Sequence, residues 1–305
     1  MPRWIEVALP TDGEAAEAIA QELQDYCHQG ISIEQADIEE GVWDDGDVPP
    51  ATRVILRGYF LDDENAAETQ LQIQKKLGYL NMMYPMPYPV FSYVNDEDWA
   101  EAWKVHYHPV KLGKRILIRP RWIEVKPDPD DLVISLDPGM AFGTGTHPTT
   151  QLCLEALEDL VQPGIDVLDL GCGSGILAIG AALLGARKII AVDIDPIAVD
   201  VTIENARENG VADHITALQG GLETVITSAR RFDLVVVNIL AKVIIPMCSQ
   251  GLGQTVRPGG KAIFSGLIDT QVDDVEEALR TTGLTPTARR QIGDWMLVEA
   301  VRKVE

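Results

Sequence analysis

The chain has 305 residues, 46% of them hydrophobic, which is enough for two domains and a sizeable core. Its formal net charge is −22, unevenly spread: residues 1–98 hold 20 Asp and Glu against 5 Lys and Arg, a net of −15, and the rest hold 27 against 20, a net of −7. That balance disfavours direct nucleic-acid binding, which needs basic patches, and favours a basic protein partner, although charge alone does not separate this from acidity that merely keeps a chain soluble.

No apolar run approaches a membrane span, and the start, MPRWIEVALP, lacks a signal architecture, so a cytoplasmic protein with no membrane attachment is expected. The four cysteines, Cys27, Cys153, Cys172 and Cys248, are scattered without a CxxC pair. They read as reduced thiols, with no disulfide and no metal site.

The first third reads as β-α-β-β-α-β. Residues 4–9 and 31–38 alternate as strands around an amphipathic helix at 12–28. A loop rich in Asp, Gly and Pro covers 40–50, a strand 53–60 and a helix 62–77. Proline-rich YPMPYPVFSYV then carries a short edge strand. This order is that of a ferredoxin-like sandwich, a fold that hosts many functions. The acidic segment NDEDWAEAWK reads as a linker helix whose Trp99 and Trp103 face the same way. The expected division is therefore a recognition domain over 1–94, a linker over 95–109 and a second domain over 110–305.

In that second domain, 110–122 and 132–136 read as strands, and 137–150, DPGMAFGTGTHPTT, as a loop. Thr149 and Thr150 precede an apolar helix at 152–160, which one of them can cap. His147 could be a base or a metal ligand, but a lone histidine without Cys or acidic partners is more often structural. The most informative stretch is DVLDLGCGSG, residues 166–175, followed by AVDID at 191–195. A buried strand runs into three glycines, a breaker-free helix follows, and a second strand delivers Asp193. Such a unit sets a nucleotide's polar groups against bare backbone, here Gly171 and Gly173, and its ribose against the acidic side chain. The spacing is G-x-G-x-G, not the G-x-G-x-x-G of dinucleotide enzymes. Asp169 stands two residues before it, where a carboxylate would repel a pyrophosphate and suit a cationic ligand such as S-adenosyl-L-methionine. Cys172, within the bend, reads as packing.

Helices at 196–209 and 272–281 alternate with strands at 215–218, 233–237 and 261–265, and a hairpin of 285–291 and 295–301 closes the chain. The expected fold is α/β: a doubly wound, seven-stranded methyltransferase sheet, mostly parallel with one antiparallel strand, beside the smaller α+β domain. Asn238 ends the fourth strand, at the carboxyl edge where open α/β sheets bind ligands. Its side-chain oxygen can accept from an amine and orient the nitrogen. Position alone equally allows it to cap the next helix.

FGTGTHPTT, DLGCGSGILAIGAALLGA, VDIDPIAV and VVVNILA together resemble the bacterial PrmA family, which methylates large-subunit ribosomal protein eleven. The resemblance extends over nearly the whole chain, with the WAEAWK linker and the HPV that follows. It implies a class I methyltransferase using S-adenosyl-L-methionine, a basic ribosomal protein as partner, and multiple methylation of α-amino and lysine ε-amino groups; a monomer is expected. Carried over by motif, the cofactor contacts are Phe142, Thr150, Gly171, Asp193 and Asn238, with Asn238 also the residue at the chemistry. The competing readings are a methyltransferase of another amine or a nucleobase, a dehydrogenase, and a ribosome-assembly binder. N-I-L-A lacks the aromatic clamp of nucleobase enzymes, the loop spacing disfavours a dehydrogenase, and the intact glycines, Asp193 and Asn238 argue against a vestigial site.

Overall fold

The computed structural model describes residues 3–11, 19–20, 22–23, 26–27, 31–35, 54–81, 86–95, 108–136 and 147–304. The chain divides into two compact units, Met1–Tyr107 and His108–Glu305. Most of the expected helix at 12–28, the whole 40–50 loop and the linker from 96 to 107 lie outside the described residues.

In the first unit, β1 (Arg3–Thr11), β2 (Ile31–Gln35), β3 (Val54–Leu61) and β4 (Val90–Asn95) make one antiparallel sheet in the order β2-β3-β1-β4. That is the ferredoxin-like order. Period-two alternation sorts its faces. Leu56 and Phe60 are buried, and in register they meet Leu9 and Ile5 of β1. Helix α1 (Ala66–Leu80) adds Ile73 and Leu77 to the same core. On the other face, the Glu6 carboxylate accepts from Arg57 and Tyr59, both at 2.9 Å. Helix α1 starts four residues later than its sequence pattern suggests. The Asp63 carboxylate takes the Asn65 N–H at 2.8 Å and its carbonyl the Ala66 N–H at 3.1 Å, which makes 62–65 a turn.

The second unit opens with a three-stranded sheet of β5 (Val110–Leu112), β6 (Ile116–Pro120) and β7 (Leu132–Leu136). The single strand expected over 110–122 is thus a hairpin, β5 antiparallel to β6. Gly113 turns it with φ 57°, and the Glu158 carboxylate holds the turn by accepting from the Lys114 and Arg115 N–H groups, both at 2.7 Å.

The main sheet contains β8 (Asp166–Leu170), β9 (Lys188–Asp193), β10 (Ile215–Gln219), β11 (Phe232–Asn238), β12 (Val256–Ile268), β13 (Leu284–Ile292) and β14 (Trp295–Arg302), in the order β10-β9-β8-β11-β12-β14-β13. All neighbours are parallel except at β14, which is antiparallel to both β12 and β13. This is the seven-stranded, doubly wound order. Alternation again divides the cores. Val167, Leu234, Val236 and Ile263 face the helices α2 (Pro148–Leu160) and α3 (Ile176–Leu183), while Leu168, Leu170, Val235, Val237 and Phe264 face α6 (Ala241–Ser249) and α7 (Val272–Thr281). Two further helices, α4 (Pro196–Glu208) and the six-residue α5 (Leu222–Thr227), flank the β9 and β10 end. Strand β12 is longer than its apolar segment, because Pro258, Gly259 and Gly260 continue it through a register shift opposite Phe232 and Leu234.

The two ends of the sheet differ. At the amino ends, Arg257 bridges Asp233 at 2.7 Å and Asp166 at 3.2 Å, and Arg187 reaches Asp166 at 2.8 Å. The carboxyl ends instead carry loops. The winding direction reverses between β8 and β11, so the crevice of an open sheet lies over their carboxyl ends.

Candidate active site

Strand β8 delivers the chain to Gly171, Gly173 and Gly175, with φ 82°, 53° and 79°. A side chain is excluded by conformation at all three, and by space at two. A Cβ on Gly171 would lie 2.6 Å from Ile239 Cγ2, and one on Gly175 2.8 Å from Thr202 Cγ2. The bend is closed onto the neighbouring strand, the N–H groups of Gly171 and Cys172 donating to the Val192 carbonyl at 2.8 and 3.1 Å. Gly175 begins α3 without a side-chain cap, so the helix N-terminus opens at the bend.

Asp169 supplies the missing cap from within the strand. Its Oδ2 accepts from the Ala178 N–H of α3 at 3.1 Å. Its Oδ1 is buried with no hydrogen-bond partner among the described residues, and the residue is 1% exposed. Burial, partly offset by the Ala178 bond and reinforced by Asp193, pushes the carboxyl up to about 7. Near neutral pH the group is therefore divided between its charged and neutral forms. The repulsion towards anions read from the sequence is only partial, and a cation nearby would draw out the charge.

Asp193 ends β9 and shapes the bend itself. Its Oδ2 accepts from the Gly173 N–H at 2.9 Å and its Oδ1 from the Asp195 N–H at 3.0 Å. A carboxylate has about four acceptor positions, so two stay available for diol hydroxyls. Below the bend lies α4, capped by Asp195, whose Oδ1 accepts from the Ile197 N–H at 2.9 Å. Thr202 of α4 donates to the Gly173 carbonyl at 3.0 Å, and Asn205 to the Ser174 carbonyl at 2.8 Å. Cys172 is buried with its Sγ 3.4 Å from the Thr202 hydroxyl, and burial raises its thiol well above the usual range, as a packing residue requires.

Asn238 ends β11, opposite Ser265 in register. Helix α6 begins after Leu240, with no side-chain cap bond, so Asn238 does not cap it. Among the described residues the Asn238 side-chain amide has no hydrogen-bond partner. Ile239 is held between two glycines, Gly171 on one side and Gly266 (φ 83°) on the other, where a Cβ would collide with the Ile239 backbone. That threading fixes the backbone that carries Asn238.

Helix α2 begins earlier than its apolar segment indicates. Pro148 presets the first turn, and the cap is His147, not a threonine. His147 Nδ1 lies 2.7 Å from the Thr149 hydroxyl and its ring meets Trp295 edge-on at 4.7 Å. Burial lowers its pKa to about 4, so it is neutral at pH 7. Thr149 and Thr150 lie buried in the first turn of α2. Phe142 and the rest of 137–146 lie outside the described residues. Gly171, Gly173, Asp193 and Asn238 thus stand at the carboxyl ends of β8, β9 and β11, with Thr150 at the start of the helix that packs on α3. Asp169, Thr202, Asn205 and Gly266 complete the surroundings. Among the described residues, no group of three or more His, Cys, Asp or Glu is arranged to hold a metal ion.

The family model for ribosomal protein L11 methyltransferase (PrmA) matches residues 3–303. The chain belongs to that family. Members named ribosomal protein L11 methyltransferase include one from Herpetosiphon aurantiacus, 40% identical over 96% of this chain and 97% of that protein, and one from Listeria innocua, 41% identical over 99% of both. A crystal structure of a ribosomal protein L11 methylase from Lactobacillus delbrueckii subsp. bulgaricus is 35% identical, with a TM-score of 0.60, over 65% of this chain and all of that one. The bend fits the S-adenosyl-L-methionine of such methyltransferases. It offers backbone without side chains at three glycines, a buried carboxyl oxygen that among the described residues has no partner and suits an ammonium group, and spare acceptor positions on Asp193 that suit a ribose. Among the described residues no helix is long and apolar enough to cross a membrane.

Proposed function

We propose that this chain is an S-adenosyl-L-methionine-dependent protein N-methyltransferase that methylates ribosomal protein L11, on its α-amino group and on lysine ε-amino groups. The observation that carries the reading is the set Asp169, Asp193 and Asn238 around a three-glycine bend at the reversal point of a seven-stranded sheet, in a chain that matches this family from residue 3 to 303. When bound, the cofactor supplies a methyl group made electrophilic by a sulfonium. The residues of the chain bind, orient and exclude water. Asp169 takes the ligand's ammonium, Asp193 its ribose hydroxyls, and Thr150 and Phe142 border the pocket. The amine to be methylated must be neutral, whereas free lysine has a pKa of about 10.4. Asn238 Oδ1 accepts from the amine N–H and aligns the nitrogen lone pair. It is an acceptor and not a base, and His147 is engaged with Thr149 and Trp295, so the proton leaves to water.

The acidic first unit is the recognition module, and its charge suits a basic protein rather than nucleic acid. The enzyme acts as a monomer. The test is to incubate the purified chain with L11 and S-adenosyl-L-methionine and map the product by peptide mass spectrometry. Methyl groups on the N-terminus and on lysines support the reading, and unmodified L11 rejects it.

A further inference from the structure

Three left-handed glycines cannot hold a loop in one shape by themselves, since glycine has the widest conformational freedom. The side chains that grip this bend are therefore informative, and they lead away from it. Asn205 of α4, 2% exposed, donates through Nδ2 to the Ser174 carbonyl between Gly173 and Gly175. Its Oδ1 accepts from Arg121 Nη2 at 2.8 Å. Arg121 follows directly on β6 of the small three-stranded sheet and is anchored there by its N–H to the Leu136 carbonyl at 3.0 Å. Its other terminal nitrogen meets Glu204 at 2.9 Å.

We propose that Arg121 is a positioning residue for the cofactor site, acting through Asn205 on the carbonyl of Ser174. An asparagine amide can present either its oxygen or its nitrogen to a neighbour. A guanidinium donates only, so the charge-assisted bond from Arg121 commits the oxygen to one side and turns the Nδ2 donor towards Ser174. Without Arg121 the amide is free to rotate, and with its oxygen towards the Ser174 carbonyl two acceptors face each other. The bend then loses one of the bonds that hold its ligand-binding shape. The small sheet thereby becomes part of the cofactor site without contacting the ligand. This inference rests on the reading of the glycine bend as the cofactor cradle.

The experiment measures S-adenosyl-L-methionine dissociation constants by calorimetry, with kcat at saturating cofactor and melting temperature, on the full chain. Arg121→Ala is expected to raise the dissociation constant about tenfold with kcat changed less than about twofold, and Arg121→Lys to recover part of the loss. Glu204→Ala, which removes the ion pair but leaves the Asn205 bond, is expected to bind normally. The decisive readout is a double-mutant cycle. Arg121→Ala combined with Asn205→Ala should bind no worse than Asn205→Ala alone. Additive losses, or a loss from Glu204→Ala equal to that from Arg121→Ala, would overturn the relay, because Arg121 would then act through general stability. Asp193→Ala is the control for the cradle. If it weakens binding while Arg121→Ala does not, only the relay fails. If neither changes binding, the cradle assignment fails too.

Discussion

Replacing Asp169 by Asn should stabilise the protein and weaken its cofactor binding together. The carboxyl moves from an ordinary value of 3.8 to about 7 in the fold, chiefly through burial. A carboxyl whose folded pKa is raised favours the protonated folded state. The penalty is absent below the unfolded pKa, grows as pH climbs, and is complete above the folded one. Roughly three pH units at about 1.4 kcal/mol each make it about 4 kcal/mol at pH 8, of which about 2 kcal/mol develops between pH 5 and 7. Asn keeps an oxygen for the Ala178 N–H and carries no charge. Without added cofactor, the melting temperature of Asp169→Asn relative to wild type should therefore rise between pH 5 and 8 by about 5–10 °C for a domain of this size. His147, held neutral by burial, titrates with the opposite sign, its stabilising term being lost as pH falls towards 4. That term is common to both proteins and drops out of the difference. In calorimetry the variant should bind S-adenosyl-L-methionine at least about tenfold more weakly, having lost the partner of the ammonium. A stability difference that does not change with pH would refute the titration argument, and undiminished affinity would remove Asp169 from the ligand.

Asp193→Ala should weaken cofactor binding at least about tenfold, because it loses charge-assisted bonds to the ribose and its hold on the Gly173 N–H. Equal affinity in a folded variant, measured by titration, would take Asp193 out of the site. Asn238→Ala should lower kcat at saturating cofactor on the order of a hundredfold with little change in affinity, and Thr150→Ala should do the reverse. If Asn238→Ala loses only affinity, it is a cofactor contact and not the amine-orienting group. A chain beginning at residue 108 should still bind the cofactor by calorimetry while methylation of L11 nearly vanishes. Wild-type turnover from that fragment would show that recognition does not reside in the first unit.

Local signals were legible wherever one residue type carries one meaning. Three glycines after an apolar run, Asp193 at the end of the next strand, and VVVN before a helix each fix a place in the sheet. The alternation of β1 and β3 likewise gives the ferredoxin-like order. What stayed hidden depends on partners far away in the chain. Thr202 and Asn205 look like ordinary polar positions of an amphipathic helix, and only the folded bend shows that they face inwards. Gly266 is an unremarkable strand glycine until Ile239 is placed beside it. The hairpin inside 110–122 was missed because its brace, Glu158, lies on a helix more than forty residues on. The six-residue α5 is too short to show a period. The His147 cap was masked by the two threonines behind Pro148, which are more usual capping residues.

The last strand of the chain is not the last strand of the sheet. β14 lies between β12 and β13, and its Leu297 and Val298 are fully buried. A ribosome delivers the chain from the N-terminus, so this slot stays open until residues 295–302 emerge. Until then β12 presents an unpaired edge, a template for wrong partners. A stop codon at Trp295 would remove the whole strand and should yield insoluble protein rather than a shortened enzyme. The sheet that carries the site is thus closed only after residues 295–302 have been made, long after those of the glycine bend.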